Sequence, residues 1–163
     1  MLGLADFTEF YAAHFQRLTV LLYAYTDDLA LAQDLVQEAF TRAVPRWEKV
    51  SRYDDPVAWV RRVAFNLANS RWRQAGVAMR HARRQREEVV EGPEPDRVEL
   101  IRALARLPEQ QRQAIILHYL GDLSVAEIAE QTGVAIGTVK ARLHRGRTAL
   151  AGHLSEAKEA HRG

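Results

Sequence analysis

The chain has 163 residues, of which 47% are hydrophobic and 27% charged, with 23 Lys+Arg against 21 Asp+Glu and no cysteine. That length holds one ordinary domain or two small ones, and the balance is that of a folded chain rather than a disordered one. Lack of cysteine excludes disulfide scaffolds, thiol catalysis, cysteine zinc sites and iron–sulfur clusters.

In chain order, the N-terminus MLGLADFTEF has no basic start ahead of an apolar run, so it is not a secretory signal. No stretch approaches the ~20 apolar residues that span a bilayer, and a cytoplasmic chain without membrane insertion is expected. Phe7, Phe10, Tyr11, Phe15, Leu18 and Leu22 recur at helical spacing and predict a first helix. Asp27 or Asp28 caps a second, with Ala32, Leu35, Val36, Ala39, Phe40 and Ala43 on one side and Gln33, Asp34, Gln37, Glu38 and Thr41 on the other. Pro45 ends that helix, and residues 46–55 read as a loop anchored by Trp47 and Tyr53. Asp55-Pro56, a capping carboxylate before a proline, opens a third helix expected to run to about Arg73.

This third helix has a wide apolar sector that includes Trp59, Val60, Val63, Ala64, Phe65, Leu67, Ala68 and Trp72. Its narrow polar strip is Arg62, Asn66, Asn69 and Arg73. Arg61 falls inside the apolar sector, with its stem expected to pack and its head to reach out. From Pro56 to Arg86 there is no acid. Amides and guanidiniums free of carboxylates suit nucleic-acid edges and phosphates. Trp47, Tyr53, Trp59 and Trp72 lie close enough in sequence to stack on unpaired bases, although Trp59 is expected in the core.

Between residues 76 and 95 an arginine-rich half meets an acidic half with Gly92, Pro93 and Pro95, which predicts a flexible linker, helical at its basic end, between domains at 1–75 and 96–163. Helical periodicity resumes at Asp96 and restarts at Leu107-Pro108, with Ile115, Ile116, Tyr119 and Leu120 as core candidates before Gly121. Ser124 and Glu127 make a capping box, Gly133 suits a tight turn, and a basic helix follows. Helix, glycine turn and basic helix in that order is a helix-turn-helix.

At about 100° per residue, Ile136, Val139, Leu143, Gly146 and Leu150 of that last helix face inward. Thr138, Ala141, His144 and Arg145 lie opposite as base-reading candidates, flanked by Lys140, Arg142 and Arg147 as phosphate contacts. Thirteen residues follow Leu150, so no large C-terminal extension is expected.

DLALAQDLVQEAFTRA followed by PVAWVRRVAFNLANSRWR resembles the region-two domain of the extracytoplasmic-function (ECF) RNA polymerase sigma factors, of the sigma-70 family. The segment running from Leu107 to Leu150 resembles their region-four domain, so the resemblance covers about residues 6–154. It implies an all-α chain of two small helical domains, a region-two bundle and a region-four helix-turn-helix, without cofactor, metal or catalytic residue. Its implied partners are core RNA polymerase and promoter DNA, with an anti-sigma factor as a further one. By this resemblance Asp34, Leu35, Gln37, Glu38 and Phe40 dock on the polymerase. Ser51, Arg52, Tyr53, Asp54, Arg61, Arg62, Asn66, Asn69 and Arg73 recognise and open the −10 element. Thr138 to Arg147 read the −35 element. The loop VSRYDD departs from the family's small polar and aromatic loop by its paired acids. The competing readings are a stand-alone dimeric helix-turn-helix regulator and, more remotely, a recombinase-type enzyme, for which no nucleophile with clustered arginines is present.

Overall fold

The computed structural model describes residues 3–87 and 95–162, and every regular element among them is helical. The chain divides at residues 88/89 into two compact units. In the first, α1 (Leu4–Thr26), α2 (Leu29–Ala43), the one-turn α3 (Trp47–Val50) and the long α4 (Pro56–Glu87) form a bundle. In the second, α5 (Pro95–Ala105), α6 (Glu109–Ile115), α7 (Val125–Thr132) and α8 (Ile136–Arg162) surround a separate core.

Local chemistry sets the boundaries of the first unit. Asp27 ends α1 in the left-handed region at φ 58°, which a short polar side chain tolerates. Asp28, rather than Asp27, caps α2, its carboxylate accepting from the Leu31 N–H at 3.0 Å. Asp55 does the same for α4 through the Ala58 N–H at 3.3 Å. Inside, α2 packs on both α1 and α4. Its Ala32, Ala39 and Ala43 are fully buried, and such small side chains let the helix axes approach.

Three expectations for this unit change. Residues 46–55 are not one loop: a 3-10 turn over Val44–Arg46 and then α3 fill the first half, because Trp47 and Val50, three apart, both go into the core. Tyr53 is not an anchor but stands 39% exposed. The third predicted helix does not stop near Arg73, and α4 continues to Glu87 through the basic half of the expected linker. Residues 74–87 hold no proline and are rich in Ala, Arg and Gln, all good helix formers, so nothing in them ends the helix. The acidic half at 88–94 lies outside the described residues.

The second unit closes over Leu104, Leu107, Ile115, Ile116, Leu117, Leu123, Ile128, Val139 and Leu143. Here α6 widens into a π turn over Ile116–Leu120, with the Gly121 N–H donating to the Ile116 carbonyl at 2.9 Å. The extra residue in that turn carries Tyr119 and Leu120 past the core face, leaving them 50% and 38% exposed, while Leu117 is fully buried. The predicted core places of Tyr119 and Leu120 are therefore wrong. Ile136 is likewise 49% exposed rather than buried. As the first residue of α8, it projects toward the helix N-terminus and beyond the packed turns.

The Ser124 cap is formed as predicted. Its hydroxyl accepts from the Glu127 N–H at 3.1 Å, and the Glu127 carboxylate accepts from the Ser124 N–H at 3.0 Å. Ser124→Ala is expected to remove about 1 kcal/mol from the second unit. For a unit of this size the loss is read as a fall in melting temperature of roughly 4–8 °C. An unchanged melting curve would show that the box is dispensable.

Candidate nucleic-acid and protein interfaces

In the second unit, Gly133 ends α7 at φ 72°, a conformation that a side chain would strain, and the chain turns directly into α8. Val139 and Leu143 are buried, and so is Gly146. With that stripe fixed inward, the opposite face of α8 is set. Thr138, Lys140, His144, Arg145 and Arg147 are exposed, and Ala141 and Arg142 are half-buried. All seven predicted contacts thus share the outer side of one helix. Arg147 donates to the Tyr119 hydroxyl at 3.1 Å, so the exposed aromatic of the π turn holds one of the flanking cations.

A polar groove of about 440 Å³ runs beside this face. Thr138, Ala141, Arg142 and Arg145 line it from α8, and Gln110 and Gln111 from the start of α6. The two glutamines were missed because they sit far away in sequence, in a segment read only for its core. Their amides add donors and acceptors next to the guanidiniums, a combination that suits base edges and phosphates.

In the first unit, the polar strip of α4 is present. Arg62, Asn66 and Arg73 are exposed, and Asn69 is half-buried, its oxygen accepting from the Tyr25 hydroxyl at 2.7 Å. Arg61 does not belong to this surface. It is 7% exposed, so its head does not reach solvent as expected. Arg61 lies four residues before Phe65 and seven before Ala68, on the stripe that faces the bundle.

The turn before α4 presents Arg52, Tyr53 and Asp54 to solvent, while Ser51 is half-buried and its hydroxyl donates to the Glu48 carbonyl at 3.2 Å. Arg52 lies 3.5 Å from Glu48 with both side chains largely exposed, a pair of little energetic weight. An open cleft of about 580 Å³ lies here, lined by Pro45, Arg46, Glu48, Lys49, Arg52 and Tyr53. Arg46 and Lys49 were not singled out from sequence, although basic residues at 46, 49 and 52 share the helical spacing that a loop assignment hid. Of the four aromatics considered for base stacking, Trp47 and Trp72 are buried at 8% and 5%. Trp59 is half-buried, so only Tyr53 of the four is exposed. Burial of Trp47 and Trp72 overturns a stacking role for those two.

On α2, Asp34 and Gln37 are exposed. Glu38 is partly exposed and holds two arginines, Arg42 at 3.0 Å and Arg71 of α4 at 3.6 Å. Leu35 and Phe40, assigned to the same docking surface, are 0% and 1% exposed. They are core residues and cannot touch a partner directly. The outward face of α2 is Gln33, Asp34, Gln37 and Thr41, with Glu38 on its edge toward α4.

The chain matches the family model Sigma-70 region 2 over residues 10–78 and Sigma-70, region 4 over residues 97–150. It is 31% identical to the ECF RNA polymerase sigma factor SigW of Bacillus subtilis, over 90% of this chain and 86% of that one. It is 30% identical to the ECF RNA polymerase sigma factor SigE of Mycolicibacterium smegmatis, over 94% of this chain and 63% of that one. Among solved structures, its fold is similar to the sigma factor RpoE of Bartonella quintana in complex with the anti-sigma factor NepR. The TM-score is 0.76 at 24% identity, covering 92% of this chain and 97% of that one. CnrH in complex with the cytosolic domain of CnrY is similar at a TM-score of 0.67 and 23% identity, covering 94% and 90%.

Proposed function

Because the chain belongs to the ECF RNA polymerase sigma factors, we propose a division of labour among its surfaces in the task of that family, which is to direct RNA polymerase to promoters. The outer face of α8 reads the −35 element. The strip Arg62, Asn66, Asn69 and Arg73, with the turn Ser51–Asp54, recognises and opens the −10 element. The polymerase docks on the exposed face of α2 at Asp34, Gln37 and Glu38. The single observation that carries this reading is that the predicted −35 residues emerge on one solvent-facing side of a helix whose opposite side is buried.

No covalent chemistry is assigned to the chain, and binding energy does the work. Unstacking duplex DNA costs on the order of 1.4 kcal/mol per step. Each captured base returns roughly 1–3 kcal/mol when it stacks on an aromatic ring, a role left here to Tyr53. The sigma factor RpoE of Bartonella quintana was captured with an anti-sigma factor and CnrH with the cytosolic domain of CnrY, and an anti-sigma partner belongs to the proposal for this chain too.

The test is run-off transcription with sigma-free core polymerase and genomic fragments. Discrete start sites that appear only when the chain is added support the reading, and alignment of those sites defines both elements. No initiation, together with no binding to core polymerase, refutes it. On a promoter so defined, Arg145→Ala is expected to lower initiation about 5- to 150-fold and to relax preference at one −35 position, as loss of a base contact worth roughly 1–3 kcal/mol does. Lys140→Ala is expected to weaken all promoters alike and to reduce the salt slope by about 1. If the two variants behave identically, the assignment of reader and phosphate contact is wrong.

A further inference from the structure

Asn69 lies at the edge of the polar strip of α4, with part of its surface turned into the bundle. Phe65 and Trp72, four residues before it and three after, share the same side of the helix and are buried at 1% and 5%. Between them sits the ring of Tyr25, from the last turn of α1, itself 1% exposed. Its centroid is 4.8 Å from that of Phe65 and 4.8 Å from that of Trp72, with tilted planes. Its hydroxyl reaches the Asn69 side-chain oxygen at 2.7 Å and donates to it.

A carboxamide has one acceptor end and one donor end, and its terminal torsion is soft and nearly two-fold. Left to itself on a helix surface, an asparagine therefore offers either end to a ligand. Here the oxygen is held by a proton from below, so the amino group is turned away from the bundle. We infer that Tyr25 is a positioning residue: through its hydroxyl it locks the Asn69 carboxamide with the amino group outward, so that Asn69 selects a hydrogen-bond acceptor on a −10 nucleotide and rejects an exocyclic amino group. This inference rests on the assignment of the α4 strip to the −10 element made above. Arg62 and Arg73, donors only, share the strip, as does exposed Asn66, whose carboxamide carries both a donor and an acceptor. The hydroxyl also has an energetic reason to be paired, since a phenol buried without a partner is costly, and phenylalanine would fill the same space.

The experiment uses the full chain bound to core polymerase on a promoter defined by run-off transcription, with each −10 position changed in turn to all four bases. Tyr25→Phe keeps the ring and removes the proton that orients Asn69. Asn69→Asp keeps an acceptor for Tyr25 but has no donor to present outward. The wild type is expected to prefer acceptor-bearing bases at one position. Tyr25→Phe is expected to reduce that preference about three- to tenfold, the size of one net hydrogen bond, while melting and polymerase binding stay near wild type. Asn69→Asp is expected to abolish the preference at that same position and no other. Tyr25→Phe that melts lower but keeps the full base profile overturns the inference, because it shows a structural role alone. Asn69→Asp that initiates with an unchanged profile overturns it as well. If the wild-type chain supports no initiation on any fragment, the underlying assignment has failed, and that outcome is separate from either variant's behaviour.

Discussion

Phe40→Ala is expected to cost the first unit about 3–5 kcal/mol, the usual price of emptying a buried aromatic site. The ring is 1% exposed and lies at the centre of an aromatic cluster. Its centroid stands 6.3 Å from Phe7, 5.6 Å from Phe10, 4.9 Å from Tyr11 and 6.3 Å from Phe15, and Trp47 closes on Phe7 and Phe10 at 5.4 and 4.9 Å. Those four α1 side chains are half-buried, and Phe40 is the ring that all four meet. Small domains hold on the order of 5–15 kcal/mol in total, so a loss of this size removes a large share of the unit's stability. Chemical denaturation and near-ultraviolet circular dichroism report both the stability and the ring packing.

The same variant separates fold from docking on α2. Gln37→Ala, on the exposed side of the helix, is expected to change stability by less than about 0.5 kcal/mol while weakening binding to core polymerase. If Phe40→Ala proved as stable as wild type and bound polymerase weakly, the ring would have to be at the surface, and its burial would be contradicted.

Gly146→Val is expected to destabilise the second unit by up to about 3 kcal/mol through overpacking. A side-chain carbon at Gly146 would lie 2.7 Å from Ile115 Cγ1 and 3.1 Å from its Cδ1, so α8 crosses α6 at a distance only glycine permits. Ile115 is 4% exposed and has little room to yield. Gly152 lies on the same helix with nothing within 4 Å of its would-be side chain. Gly152→Ala is expected to stabilise by roughly 0.5–1 kcal/mol, because alanine is the better helix former. Opposite signs in thermal melting for two glycines six residues apart would locate the close crossing, and loss of stability at both positions would show that the cost is not specific to the crossing. Ile115→Ala should partly rescue Gly146→Val, since each change answers the other's volume.

Much of the fold is legible along the chain because it depends on contacts within a helical turn or two. The Asp28, Asp55 and Ser124 caps, the Gly133 turn and the inward stripe Val139–Leu143–Gly146 each follow from residues three or four apart. So does the outward face of α8, because burying one side of a helix leaves only the other for a ligand. The helix-turn-helix and the polar strip of α4 are therefore legible in the sequence.

Other features depend on which partner an element meets, and no spacing encodes that. By resemblance Asp34 to Phe40 form one docking segment, yet packing against α1 and α4 splits it into a buried and a presented side. Arg61 reads as a cation with its head in solvent until the bundle closes over it. A π turn, closed by a hydrogen bond one residue longer than its neighbours', exposes Tyr119 and Leu120 where α-helical spacing would bury them. Gln110 and Gln111 meet Thr138 and Arg145 only because α6 and α8 cross closely at Gly146, and Tyr25 meets Asn69 only because α1 packs on α4. Sequence by itself determined the main helices, their caps and the outward face of α8, with α3 and the end of α4 as exceptions, since these rest on local geometry and on the period of burial. Tertiary structure alone decided which polar groups are held, buried or brought together, because a side chain's exposure is a property of the helix packed against it.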